Sequence, residues 1–142
     1  MTALRPTTYP IPLIGWKEEV HLPELGGVRI HAKIDTGART SALHAETITV
    51  LGKRVSFKLG SRWHEMRLVD VKRIKSSNGF SEMRPVVETV VEVGTHRFFT
   101  SITLTDRRDM GVPMLLGREA IRGHFLVQPA RSFLLRPKKA RP

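Results

Sequence analysis

Short β-type segments separated by turn residues run through almost the whole chain, and they restrict the fold more than any other feature. Residues 28–34 alternate apolar and polar side chains, as in a strand with one buried face. Gly26-Gly27 and residues 76–79 (Ser-Ser-Asn-Gly) are typical turn sequences. Many short strands joined by such turns indicate an all-β barrel or sandwich.

The predicted elements leave room for very little helix. The predicted strands are residues 14–22, 28–34, 43–50, 54–59, 66–74, 85–93 and 97–104, with two terminal strands at 125–127 and 133–135. Pro85 indicates that its strand begins there or lies at an edge. One short helix is predicted at residues 118–122, closed by Gly123.

The domain organisation is simple, and the charge points to anionic partners. We predict an N-terminal extension (1–13), one domain (14–135) and a basic disordered tail (136–142). Lys and Arg number 24 against 13 acidic residues, giving a net charge of +11, which suits acidic peptides, nucleic acid, the ribosome or an anionic membrane surface. Cysteine is absent, which excludes disulfides and a cysteine nucleophile. No signal peptide or membrane span is predicted, so we expect a cytoplasmic protein.

The candidate chemistry lies at Asp35-Thr36-Gly37, where an apolar strand runs into a tight turn. Thr36 can hydrogen-bond within such a turn, and Gly37 permits close backbone approach. Two carboxylates about 3 Å apart share one proton, so one activates water as general base while the other polarises or protonates the scissile amide. No second Asp-Thr-Gly or Asp-Ser-Gly occurs, since Asp109-Met-Gly111 lacks the small hydroxyl residue. A dyad therefore requires a homodimer.

The chain resembles the retropepsins, whose subunits pair an Asp-Thr-Gly-Ala motif with a later apolar-apolar-Gly-Arg segment before a helix. Within them it is similar to a bacterial family of retropepsin-like aspartic proteases that is associated with RimK and usually labelled ATP-dependent zinc protease. The matching stretches are Ile-Gly-Trp at 14–16, Lys-Ile-Asp-Thr-Gly-Ala-Arg-Thr-Ser-Ala-Leu at 33–43, Arg-Pro-Val-Val at 84–87, Met-Leu-Leu-Gly-Arg at 114–118 and Gly-His-Phe-Leu-Val at 123–127.

The resemblance implies a retropepsin-like acid-protease barrel and assigns roles to residues. Asp35 would be catalytic, with Thr36 and Gly37 supporting the dyad and Gly117 and Arg118 beneath it. We expect the substrate to contact the residues after the motif, the tip of a covering flap and the apolar strand before the helix: Ala38, Arg39, Thr40, Asn78, Gly79 and Leu116.

Two questions about the site stay open at this stage. In viral retropepsins an acid at the position of Arg39 pairs with the Arg of Gly-Arg, whereas here Arg39 and Arg118 would repel. Arg39 either faces the cleft, where it would favour acidic side chains, or is a solvated loop residue. The flap is predicted at residues 76–81, with 60–63 as the alternative.

We expect no cofactor. The chain contains no Gly-x-x-x-x-Gly-Lys-Ser/Thr for ATP, and His64-Glu65 is not followed by a His at the spacing of a helical zinc site. Genes of the resembled family often accompany ligases that add glutamates to a ribosomal protein, so an acidic, glutamate-rich peptide or a glutamate-modified ribosomal protein is the expected substrate. The alternative is a basic β-barrel that binds nucleic acid or the ribosome without catalysis, which the low aromatic content of 6% does not favour.

Overall fold

The computed structural model describes residues 11–75 and 78–136, and strands dominate it. The elements, in chain order, are β1 (Leu13–Ile14), β2 (Lys17–Leu22), β3 (Val28–Ile34), β4 (Ser41–His44), β5 (Glu46–Leu51), β6 (Arg54–Leu59), β7 (Arg62–Arg67), β8 (Asp70–Lys75), β9 (Ser81–Val93), β10 (His96–Thr105), a 3₁₀ turn (Arg108–Met110), β11 (Met114–Leu116), α1 (Arg118–Ile121) and β12 (Leu126–Val127). Within the described ranges, no helix is both long and apolar enough to cross a membrane.

Six strands close into a barrel in the order β10-β4-β11-β3-β2-β9, and pairing between β9 and β10 completes the circuit. β8 extends β9 outside this barrel, while β5, β6 and β7 form a separate antiparallel sheet. The buried faces of both sheets, including Leu22, Phe57, Leu104 and Met114, meet in one hydrophobic core. The predicted all-β barrel with one short helix near the C-terminus is therefore confirmed.

Three predicted strands divide where the chain changes direction. Residues 14–22 separate into β1 and β2 at Gly15, whose Cα lies so close to the Arg131 backbone that an added Cβ would be 2.3 Å from the carbonyl oxygen. Residues 43–50 divide at Ala45, which passes from the barrel to the separate sheet, and residues 66–74 divide between β7 and β8. These breaks depend on contacts between distant segments, which the local alternation of side chains does not record.

Two further expectations have different outcomes. Pro85 lies inside β9 rather than at its start, but pairing with β10 ends at Val86 and only β8 lies beside Pro85, so the alternative of an edge position holds at this residue. Residues 133–135 do not form a strand, because the N–H groups of Leu134 and Leu135 donate to the carboxylate of buried Glu18 instead. The predicted extension and tail lie largely outside the described residues, at 1–10 and 137–142.

Candidate functional site

Asp35 directly follows β3 and is anchored by its neighbours in the barrel. Its backbone N–H donates to the carbonyl oxygen of Leu116 in the parallel strand β11, at 2.8 Å. Its own carbonyl oxygen accepts a bond from Ala38 N–H at 3.2 Å, and Oδ1 accepts one from Gly37 N–H at 3.0 Å. The half-buried carboxylate is therefore held in a defined turn at the end of the strand.

The loop from β11 into α1 lies against the Asp35 turn. Arg118 N–H donates to the Ala38 carbonyl at 2.8 Å, and the Arg118 guanidinium donates to the Thr36 carbonyl at 2.9 Å. A Cβ on Gly117 would lie 2.6 Å from the backbone of Thr40, so this contact requires glycine. Gly117 and Arg118 therefore lie against the Asp35 turn, and Arg118 bonds to a carbonyl group rather than to an acid.

A cleft of about 810 Å³ opens at the Asp35 carboxylate. Its walls come from the Asp35 turn, β4, β8, β9, β11 and the segment that follows β10. The lining residues are Asp35, Gly37, Ala38, Arg39, Thr40, Ala42, Lys72, Arg73, Ile74, Lys75, Arg84, Arg107 and Leu115. Arg39 therefore lines the cleft.

Two predicted site residues do not line the cleft. Thr36 is exposed and outside the cleft wall. Leu116 is completely buried in the core, and the alternation of side chains along β11 brings Leu115 to the cleft in its place. The choice between these two neighbours depends on which face of β11 meets the core, and a three-residue apolar strand does not show this in its sequence.

The hairpin formed by β8 and β9 lies beside the cleft. Its tip carries Asn78 and Gly79, and Asn78 lines an adjoining cavity of about 500 Å³ that shares Ile74, Arg84 and Arg107 with the cleft. Residues 76–77 of the predicted flap lie outside the described residues. The alternative flap, residues 60–63, borders a different cavity and not the Asp35 cleft. Of the two predicted loops, only the β8–β9 hairpin has described residues beside the cleft and its adjoining cavity.

Positive charge dominates the cleft, and this was not predicted residue by residue. Six lining residues are cationic, and Asp35 is the one carboxylate among the described residues of the wall. Lys72 lies 3.9 Å from Glu119, Arg84 lies 2.6 Å from Glu82, and Arg107 lies 3.2 Å from Asp109. Arg39, Arg73 and Lys75 have no acidic partner within the described ranges. The run of cations in β8 and the Arg-Pro at 84–85 were the available signals in the sequence.

Glu82 is the acid that pairs with the buried cleft residue Arg84. Burial by itself would raise its pKa, but hydrogen bonds from Thr105 and Arg84 and the charges of Arg84 and Arg107 outweigh burial and leave the pKa below its usual value. Glu82 is therefore ionised at neutral pH and holds Arg84 in place.

The described residues contain no group of His, Asp and Glu side chains arranged to hold a metal ion. The histidines, which look scattered in the sequence, include one close pair: His96 Nε2 lies 2.9 Å from His124 Nδ1. Neither residue lines the Asp35 cleft.

Comparison with known proteins identifies one family and several relatives. The model of the family described as RimB-like, retropepsin-like aspartic endopeptidase RimB, matches residues 13–138. Proteins named "Probable alpha-L-glutamate ligase" are similar: the one from Shewanella pealeana is 41% identical over 89% of this chain, and the one from Desulfotalea psychrophila 33% over 83%. The chain spans only 30% and 28% of their lengths. A crystal structure of a protein of unknown function from Legionella pneumophila superposes with a TM-score of 0.74 at 28% identity, covering 88% of this chain and 98% of that one.

Proposed function

Because this chain belongs to the RimB-like family of retropepsin-like aspartic endopeptidases, we propose that it hydrolyses peptide or isopeptide-like amide bonds with two Asp35 carboxylates from two copies of the chain. The observation that best supports this proposal is the position of Asp35. Its half-buried side chain lines a cleft whose described wall holds no other carboxylate. A second carboxylate at this cleft is then supplied by a second protomer. The exposed Thr36 and Gly37 leave the turn accessible for such pairing.

The chemistry follows from two acids in contact. The pair retains one proton because two negative charges about 3 Å apart repel strongly. The ionised carboxylate removes a proton from water, the water oxygen attacks the amide carbon, and the protonated carboxylate donates its proton to the carbonyl oxygen, which gives a gem-diol. The first carboxylate then passes its new proton to the amide nitrogen while the second takes a proton back from a gem-diol hydroxyl. The C–N bond breaks, a carboxylic acid and an amine leave, and the dyad again holds one proton. Thr36 and Gly37 hold the two Asp35 turns in the positions that the dyad needs, while Gly117 and Arg118 of each chain pack against its own turn.

We propose acidic, glutamate-rich peptides as substrates, such as a cytoplasmic ribosomal protein carrying added glutamates. Six cations around one carboxylate favour anionic ligands, and Arg39 lies in the same turn as the catalytic Asp35. Relatives named for glutamate ligation contain a region similar to this chain, which supports a link to glutamylated proteins. In this proposal Ala38, Arg39, Thr40 and Leu115 contact the substrate, and Asn78 and Gly79 cover it.

The test is hydrolysis of matched glutamate-rich and glutamine-rich peptides by the wild type and by Asp35→Asn. We expect cleavage of the glutamate-rich peptide by the wild type and no cleavage by Asp35→Asn, with unchanged circular dichroism. Asp70→Asn is the matched control, because Asp70 is exposed and lies outside the cleft wall, and its carboxylate accepts a bond from the neighbouring Val71 N–H. Full activity in Asp35→Asn would rule out the aspartic mechanism.

One observation favours the alternative of a non-catalytic nucleic-acid-binding barrel. On the outer face of the separate sheet, Lys58 Nζ lies 5.9 Å from the ring centre of Trp63, which is 58% exposed. An exposed ring beside cations is suited to stacking with a base. If this were the function, RNA binding would depend on Trp63 and would be unaffected by Asp35→Asn.

A further inference from the structure

Arg84 is the cleft cation whose position is most completely determined. It lies in β9 opposite Lys72 of β8, and only 8% of its side chain is exposed. Its Nε donates to Glu82 Oε2 at 2.6 Å, and the same oxygen accepts a bond from the Thr105 hydroxyl of β10 at 2.6 Å. Two strands of the sheet therefore fix the guanidinium, which loses little further entropy when a ligand binds.

The other edge of this guanidinium is open. Within the described residues, Nη1 and Nη2 of Arg84 have no hydrogen-bond partner, and no fully inaccessible side-chain nitrogen or oxygen lacks one. The two terminal nitrogens therefore reach open space, and Arg84 lines both the Asp35 cleft and the adjoining cavity. A fixed fork of N–H donors matches the two oxygens of a carboxylate.

The local charges decide from which side an anion enters. In the adjoining cavity, Glu82 and Asp109 offset Arg84 and Arg107. On the Asp35 side, the wall carries Arg39, Lys72, Arg73 and Lys75 in addition, against Asp35 alone. An anion is therefore attracted to Arg84 through the Asp35 cleft.

We infer that Arg84 is the specificity-determining residue of an anion subsite in the cleft, and that it takes one side-chain carboxylate of a glutamate or aspartate in the substrate. This inference rests on the proposed function, because it assumes that the cleft binds a peptide. Glu82 and Thr105 are positioning residues that hold the fork in the direction of the cleft. A glutamine at this subsite turns an N–H donor or a single oxygen toward Arg84 and binds less well.

The test measures binding without hydrolysis, in the full chain carrying Asp35→Asn. Fluorescein-labelled oligoglutamate and oligoglutamine peptides are titrated and followed by anisotropy at fixed salt. We expect Arg84→Gln to weaken oligoglutamate binding about 10- to 100-fold, the loss for a charge-assisted bond, and to change oligoglutamine binding by less than about 2-fold. The control Arg67→Gln removes the same charge at an exposed position outside the cleft, and we expect less than about a 3-fold change.

Two further variants separate the effect of the orientation of the Arg84 guanidinium from the effect of its positive charge. Arg84→Lys keeps the charge without the fork and should restore only part of the loss. Thr105→Val removes the hydroxyl that holds Glu82 and should weaken oligoglutamate binding while keeping the net charge, with the melting temperature recorded for every variant. If Arg84→Gln does not fold, the Thr105→Val result decides, since unchanged binding there contradicts the positioning role.

Three results would overturn the inference. These are oligoglutamate binding unaffected by Arg84→Gln, an equal loss in Arg67→Gln, or displacement of the peptide by oligouridylate at the same charge concentration, which would make the subsite a general anion site. Failure of the proposed function is distinguishable, because it concerns hydrolysis by the wild type and leaves the binding comparison intact.

Discussion

At the scale of single residues, two positions require glycine for different physical reasons. Gly117 has an extended backbone, with φ −90°, that any residue can adopt, but a Cβ there would lie 2.6 Å from Thr40 and 2.9 Å from the Ala38 carbonyl oxygen. Gly52 has open space around it but a φ of +59°, which disfavours a side chain. The first position is limited by packing against the Asp35 turn and the second by backbone conformation alone.

We therefore predict that Gly117→Ala lowers the free energy of unfolding by roughly 1–3 kcal/mol, the usual effect of overpacking, and also reduces hydrolysis because the Asp35 turn is displaced. Denaturant unfolding and a peptidase assay would measure the two effects. Gly52→Ala is the control: it should destabilise by about 1 kcal/mol and leave hydrolysis per folded molecule unchanged. Normal activity and stability in Gly117→Ala would show that the two loops do not depend on this contact.

At the scale of elements, the pair His96 and His124 joins the start of β10 to the segment that follows α1. The rings share a hydrogen bond and pack against Phe98 and Phe125. Burial lowers the pKa of both residues, and the charge of His96 lowers that of His124 further. Since both rings favour the neutral form in the folded chain, protonation opposes this contact between elements.

The sign of the pH effect follows from these directions. The unfolded histidines titrate near the ordinary value of about 6.5 and the folded ones below it, so the unfolded state binds more protons as the pH falls below that value. Stability should be complete above about pH 6.5 and should decrease as the pH falls toward and through the lowered pKa values. His124→Gln should reduce the difference between melting temperatures at pH 7.5 and pH 5, whereas the exposed His31→Gln should not. An unchanged difference in His124→Gln would assign the acid sensitivity to other groups.

At the scale of the whole molecule, the two ends of the described chain pack against the same protomer. β1 pairs with β12, Trp16 N–H donates to the Arg131 carbonyl, and buried Glu18 accepts N–H groups from Leu134 and Leu135. These contacts hold both described ends against their own chain. The pairing that the proposed dyad needs is expected to centre on the exposed Asp35 turn, because the two carboxylates must meet there.

A dyad made from two chains makes activity depend on protein concentration. We predict that specific activity rises as concentration passes through the range in which the dimer forms, because a single protomer holds one Asp35. Sedimentation velocity and activity measured over the same dilution series would check this. Mixing the wild type with excess Asp35→Asn should suppress activity through mixed dimers, and a fully active monomer would contradict the proposal.

The sequence was sufficient for the features that depend on neighbours along the chain. The alternation in residues 28–34 predicted β3 correctly, the Gly-Arg segment and Gly123 predicted α1, and the Asp-Thr-Gly turn was recognisable from its residue types. The breaks at Gly15 and Ala45, the face of β11 that brings Leu115 to the cleft, and the meeting of Arg39, Arg84 and Arg107 around Asp35 were not recognisable in this way. They depend on which strands lie side by side, because the parallel pairings of β3 with β11 and of β4 with β10 bring together residues that are tens of positions apart.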